Sequence, residues 1–267
     1  MTASTASAAD VAALSADEAD AIVRRAIAYP YAAPSHSYLY DAGANGLWRP
    51  LPPEPGLLEG RTPVLAAGSN RAPERLAQKF QALFPHARIP VTRAHLTGFD
   101  SVYCAHVTSY GSVPATLHPS PGTTVALHIT WLNENELACM HRTEQPGVNY
   151  HFVRLRNSAL VLADGDVTLD AAYAYLSVHG AMLDNGAPVA LAAIEATNRR
   201  FAARAQSAML SALAAQVAPG VEVRTFIRGI VGTGRERRRL RAAHEALMRR
   251  SVDRFPFETV EIVPVGA

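Results

Sequence analysis

The chain has 267 residues, 49% hydrophobic and 18% charged, with a formal net charge of +2. Such a composition excludes disordered, collagen-like and coiled-coil classes. No run of about 18 uncharged apolar residues occurs, and Asp10, Asp17, Glu18 and Asp20 stand where a leader would be basic, so neither a membrane span nor a secretory signal is expected and the expected compartment is the cytoplasm.

Cys104 and Cys139 are too few for a disulfide framework or a four-cysteine metal site and read as buried thiols. The basic charge is concentrated. Residues 235–250 hold seven arginines against Glu236 and Glu245, a local +5 that leaves the rest of the chain at −3. Lys79 is the one lysine among 25 basic residues, a bias that reads as compositional and carries no functional weight.

Residues 1–10 are small and polar, and Ser15-Ala16-Asp17-Glu18 reads as a capping box opening a short peripheral helix to Ile27. Residues 29–55 are rich in Pro, Gly, Tyr and Ser. Proline removes backbone donors, so this stretch reads as an ordered arm without helix or central strand. Pro63-Val64-Leu65-Ala66-Ala67 is a short apolar strand that breaks at Gly68-Ser69-Asn70 and gives way to a helix over 73–83, with Pro73 in its first turn. Short β-like runs follow at 95–99, 101–108, 115–117 and 123–131, the last after the turn Pro119-Ser120-Pro121-Gly122. Asn133 and Glu136 form a second capping box, for a helix ending near Arg142.

Further on, 149–155 and 160–163 read as a strand pair, 171–178 as another strand and 187–217 as strongly helical. The stretch 221–230 reads as a strand. Residues 235–250 read as a basic helix with the apolar stripe Leu240, Ala243, Leu247 and Met248, whose expected use is docking onto the domain, and 259–263 as a terminal strand. The expected fold class is α+β, a small closed or nearly closed β-barrel flanked by helices. Three parts are expected: an N-terminal helix and arm over 1–60, the core over 61–218, and a C-terminal extension of strand and basic helix over 219–267, packed on the core.

Val64-Leu65-Ala66-Ala67-Gly68-Ser69-Asn70 resembles the strand and glycine turn of the gamma-glutamylcyclotransferase-like superfamily, where most members read Tyr-Gly-Ser-Asn. The likeness continues in order through Pro114-Ala115-Thr116-Leu117, then Pro119-Ser120-Pro121-Gly122-Thr123-Thr124-Val125, then Glu144 with Gly147-Val148 and Tyr150. Each block alone is weak; their order and spacing over about a hundred residues carry the resemblance. It implies a cofactor-free, metal-free lyase that cyclises a γ-glutamyl amide to 5-oxoproline and releases an amine. Glu144 would be the general acid/base, and Gly68, Ser69 and Asn70 would bind the γ-glutamyl moiety through backbone amides. Ala67 departs from the usual tyrosine, Arg71 from a common leucine, and Gln145-Pro146 is inserted after the glutamate.

A glycine-containing turn between a strand and a helix N-terminus points N–H groups into one concavity, where they can hold a carboxylate. Cyclisation needs the substrate's α-amine folded onto its own side-chain carbonyl and a proton carried from that amine to the departing one, which a single carboxylate can do. Burial of Glu144 beside an apolar wall is expected to raise its pKa toward neutrality. Tyr173 and Tyr175, on one strand face, are candidates for a late aromatic contact.

Two other classes remain. One is a binding module on the same fold that has lost turnover. The other is a cupin-like metal protein, which Gly122, His128 and Glu134 partly mimic, although Thr130 stands where a second histidine is required and no second motif follows. His106, His118, His128, His141 and His151 otherwise read as half-buried residues bonded to the backbone, and Cys104 as core filler. The arginine-rich segment carries no aromatic residues, so nucleic acid is not an expected partner; the expected partner is a small γ-glutamyl molecule.

Overall fold

A computed structural model of the chain describes residues 16–44, 47–156, 160–162, 169–232, 235–249 and 252–265. Helix α1 spans Ala16–Ile27, and its expected cap Ser15 lies outside the described residues. Rather than lying on the periphery, α1 buries Val23 and Ala26 in the main core. The arm then supplies two strands, β1 (Tyr38–Asp41) and β2 (Trp48–Pro50), which the proline count had argued against. The prolines fall outside β1, leaving Tyr38, Leu39 and Tyr40 free to pair with β2 on one side and β4 on the other.

The sheet is built around β3 (Thr62–Ala66), β4 (Arg88–Tyr103) and β5 (Ala115–Leu132). The four short runs expected between 95 and 131 are these two long strands. The proline turn expected at 119–122 is a bulge inside β5: Thr97 pairs with Thr124 and Phe99 with Pro119, so residues 120–123 bulge opposite Gly98. Pro119 and Pro121 cannot donate to a ladder, and Gly98 and Gly122 take φ of 90° and 86°, so the irregularity sits where pairing is already lost. The hydroxyls of Ser120 and Thr123 bridge it at 2.7 Å.

The sheet continues through β6 (Tyr150–Arg156), β7 (Leu160–Leu162) and β8 (Ala171–Ser177). β6 and β7 do not pair with each other; β6 lies between β8 and the last strand, and β7 adds to β4. β9 (Ala181–Asp184) follows β8, and the expected helix over 187–217 opens with short strands instead: β10 (Ala187–Pro188), β11 (Ala190–Leu191), β12 (Ala196–Thr197) and β13 (Ala203–Arg204) precede a helix confined to Gln206–Val217. Alanine content suggested helix, but Pro188 and the buried Val189, Ala190 and Leu191 fit an extended segment along β4.

Two helices flank the segment between β3 and β6: α2 (Pro73–Phe80) and α3 (Glu134–Glu144). Gln206–Val217 is α4, Val223–Val231 is α5, and Arg235–Met248 is α6; β14 (Val252–Asp253) and β15 (Glu261–Ile262) close the chain. α5 stands where a strand was expected. Its apolar residues Phe226, Ile227 and Ile230 recur at helical spacing and are all buried. The main sheet runs β13-β11-β4-β5-β3-β8-β6-β15, antiparallel except where β3 meets β8 and β11 meets β13. The fold is therefore α+β.

Alternation along the strands buries both sheet faces. Leu65, Leu127, Val153 and Leu176 point into one core with α1, α4, α5 and α6; Val64, Phe152 and Tyr175 point into another with α2 and α3. Val64 and Leu65 thus divide β3 between the two cores, and the chain leaving β3 emerges between the two helical layers.

Candidate functional site

That exit is the Gly68-Ser69-Asn70 turn, which folds as a single 3-10 turn over Ser69–Arg71 before α2. Three bonds hold it. Ser101 Oγ donates to Ala67 O at 2.6 Å, Tyr38 Oη donates to Arg71 O at 2.7 Å, and Ala72 N donates to Ser69 O at 2.9 Å. Gly68 is required by its neighbour. A Cβ there would collide with Tyr29 Oη and lie 3.1 Å from Tyr29 Cζ, and that hydroxyl is fixed by accepting from Ala115 N at 2.8 Å. The arm therefore lays a phenol beside the turn where Ala67 lacks one. Arg71 is not in the way: its guanidinium donates to Ala193 O at 3.1 Å and does not line the cavity.

Glu144 is the last residue of α3. The helix starts at the expected capping box, with Asn133 Oδ1 accepting from Glu136 N and Glu136 Oε2 accepting from Asn133 N, each at 2.9 Å. It ends because Gln145 adopts a left-handed conformation at φ 52°, ahead of Pro146. The inserted pair builds the turn into β6: Gly147 N donates to Tyr150 O at 2.8 Å, and Asn149 Nδ2 to Gln145 Oε1 at 2.9 Å.

Turn and helix end meet. Asn70 Nδ2 donates to Glu144 Oε1 at 3.2 Å, and Lys79 Nζ, from the last turn of α2, donates to the same oxygen. Among the described residues Oε2 takes no hydrogen bond. The Lys79 side chain is 1% exposed and that of Glu144 13%. Burial pushes the Glu144 carboxyl up, but the Lys79 ammonium and the bonds from Lys79 and Asn70 outweigh it, so it sits below its ordinary value. The expectation of a carboxyl raised toward neutrality is corrected by this cation, whose own value is lowered by burial.

Gly68, Ser69, Asn70 and Glu144 line one cavity of about 690 Å³, so all four residues expected at the site are brought together. Its walls include the 104–114 loop, of which 104–108 was expected to be strand, with Tyr29, Tyr150 and Tyr175. Tyr175 Oη pairs with His141 Nδ1 at 2.7 Å, whereas Tyr173 stacks on Phe152 at 5.1 Å and does not line the cavity. Cys104 lies behind Tyr150, its thiol pushed up to about 12 by burial, which keeps it an unreactive thiol. His128 bonds Pro34 O at 3.1 Å. Among the described residues no group of three or more His, Cys, Asp or Glu is arranged to hold a metal, and no helix is long and apolar enough to cross a membrane.

Lys79, Arg75, Arg237, Arg241 and His244 were not assigned to the site from the sequence. One signal existed for the first, since a lone lysine in an arginine-rich chain marks a place where a compact ammonium is kept.

No protein-family model matches the chain, and no curated protein matches it. Among solved structures, that of At5g39720.1 from Arabidopsis thaliana is 18% identical with a TM-score of 0.34, over 45% of this chain and 70% of its own. The uncharacterized protein LOC79017 from Homo sapiens is 19% identical with a TM-score of 0.36, over 45% of this chain and 68% of its own. Likeness at that level is silent on activity.

Proposed function

We propose that the chain is a gamma-glutamylcyclotransferase-like lyase that converts a γ-glutamyl amide to 5-oxoproline and a free amine. The observation that carries this reading is the hydrogen bond from Asn70 to Glu144, which joins the two segments of the resemblance inside one cavity. The γ-glutamyl group lies along the turn, its carboxylate on the N–H groups of Gly68, Ser69 and Asn70, none of which donates in the loop and turn hydrogen bonds of the described residues. Glu144, kept ionised, takes a proton from the substrate α-amine as its nitrogen attacks the side-chain carbonyl carbon. The same proton passes to the leaving nitrogen as the old amide bond breaks. No cofactor enters the step. On this reading residues 61–218 are the family's core and the sheet is its small barrel. Loss of 5-oxoproline release in Glu144→Gln tests it.

A second reading, a binding module without turnover, is favoured by the Lys79 ion pair, because a carboxyl held low is a weaker base. A wild-type protein that binds γ-glutamyl amides without consuming them would support it.

A further inference from the structure

α6 does more than cover the domain. Its inward stripe runs Arg237, Leu240, His244, Met248, at helical spacing. Leu240 and Met248 join the main core, while Arg237 and His244 line the cavity that holds Glu144. His244 is 5% exposed, and among the described residues neither of its ring nitrogens has a hydrogen-bond partner; Arg237 Nε is likewise buried and unpartnered. Leaving such groups unbonded is costly, so a helix docked for packing alone would carry apolar residues at both positions. Burial and the neighbouring Arg241 push His244 down to about 4, leaving an uncharged ring with an N–H to donate near neutral pH.

The charge of the cavity is one-sided. Arg75, Arg237, Arg241, Arg249 and Arg254 line it against Glu245 and Glu144, and Glu144 is already answered by Lys79. Among the described residues Arg237, Arg241 and Arg249 have no ion-pair partner. A γ-glutamyl group carries one ammonium and one carboxylate and cannot balance this excess. The balancing charge belongs on the other half of the substrate. The His106 ring lies 5.8 Å from that of Tyr150 on the wall of the same cavity.

We propose that Arg237, Arg241 and His244 form a leaving-group subsite for an amine that bears at least two carboxylates, so that the preferred substrates are γ-glutamyl derivatives of acidic amino acids or acidic peptides. This rests on the cyclotransferase reading.

The test compares 5-oxoproline release from γ-glutamyl-glutamate, γ-glutamyl-alanine and γ-glutamyl-butylamide by the full chain and by Arg237→Met and Arg241→Met. The wild type is expected to favour the glutamate derivative in kcat/KM by about tenfold or more, and each variant to lose most of that ratio through KM. Arg241 is exposed, so its variant keeps the test open if Arg237→Met does not fold. A companion measurement is the melting temperature with glutamyl-glutamate or butylamine. Turnover without acidic preference overturns the subsite and leaves the cyclisation reading standing. No turnover, with a melting-temperature rise for glutamyl-glutamate that Arg241→Met abolishes, keeps the anion subsite and overturns cyclisation; no turnover and no rise overturns both.

Discussion

Lys79 Nζ donates to Glu144 Oε1 across the junction of α2 and α3, and the same oxygen accepts from Asn70. Three segments of chain, the turn after β3 and the ends of two helices, thus converge on one atom. The chain's single lysine stands there, 3.1 Å from Met140 Sδ. A buried ammonium fits such a place as a compact point charge, whereas a guanidinium would need room for its planar fork.

Replacing Lys79 by Met should invert how stability depends on pH. In the wild type Glu144 is depressed below 4.5, so the pair's contribution is present above the unfolded carboxyl value and fades as pH falls through the lower folded one. Without the cation, burial is left as the main influence and the carboxyl rises above its ordinary value. The unfolded state then ionises more readily, and stability falls as pH rises past 4.5. Urea unfolding between pH 4 and 8 checks this; the expected loss near neutral pH is about 3–5 kcal/mol. A variant with the wild-type pH profile would show that the pair does not set the state of Glu144.

Gly68→Ala should cost about 1–3 kcal/mol, because its Cβ meets the Tyr29 hydroxyl. Tyr29→Phe removes that oxygen and leaves the buried Ala115 N–H without its acceptor, which costs about 1–3 kcal/mol by itself. In the double variant the collision is relieved, so the loss should be smaller than the sum of the two. Thermal unfolding of the three proteins decides it; additive losses would mean that the phenol and the turn do not touch.

Arg199 holds a wholly buried carboxylate. It donates to Asp100 Oδ2 at 2.9 Å and Oδ1 at 3.0 Å, and to Ile194 O at 2.6 Å, tying the segment after β12 to the C-terminal part of β4. Arg199→Met should cost about 3–5 kcal/mol, with Arg199→Lys recovering only part because the two-pronged contact is lost. Chemical unfolding midpoints within error of wild type would contradict it.

Local signals were read well. Asn133 and Glu136 form the capping box that their spacing indicates, and the strand, turn and helix from Pro63 into α2 lie where the apolar run and Pro73 place them. What went unread depends on distant partners. β4 and β5 look like four short strands because the glycines and prolines at 98 and 119–122 are turn residues locally, and only the pairing of one strand with the other makes them a bulge. Residues 221–230 contain Val and Ile enough for a strand, yet the spacing of Phe226, Ile227 and Ile230 serves a helix against α1 and α4. Motif order singled out Gly68, Asn70 and Glu144, which line one cavity. Lys79 stood out only as the chain's single lysine, and nothing ties it to Glu144 until α2 and α3 are packed together.

The most direct measurement is the rate of 5-oxoproline release from γ-glutamyl amides by wild type and Glu144→Gln. Glutamine keeps the size of the side chain and an oxygen for Asn70, but it cannot take a proton. Measurable turnover is expected in the wild type and a fall of about 10²–10⁴ in kcat in the variant, with substrate still able to raise its melting temperature. Turnover in Glu144→Gln close to the wild-type rate would contradict it.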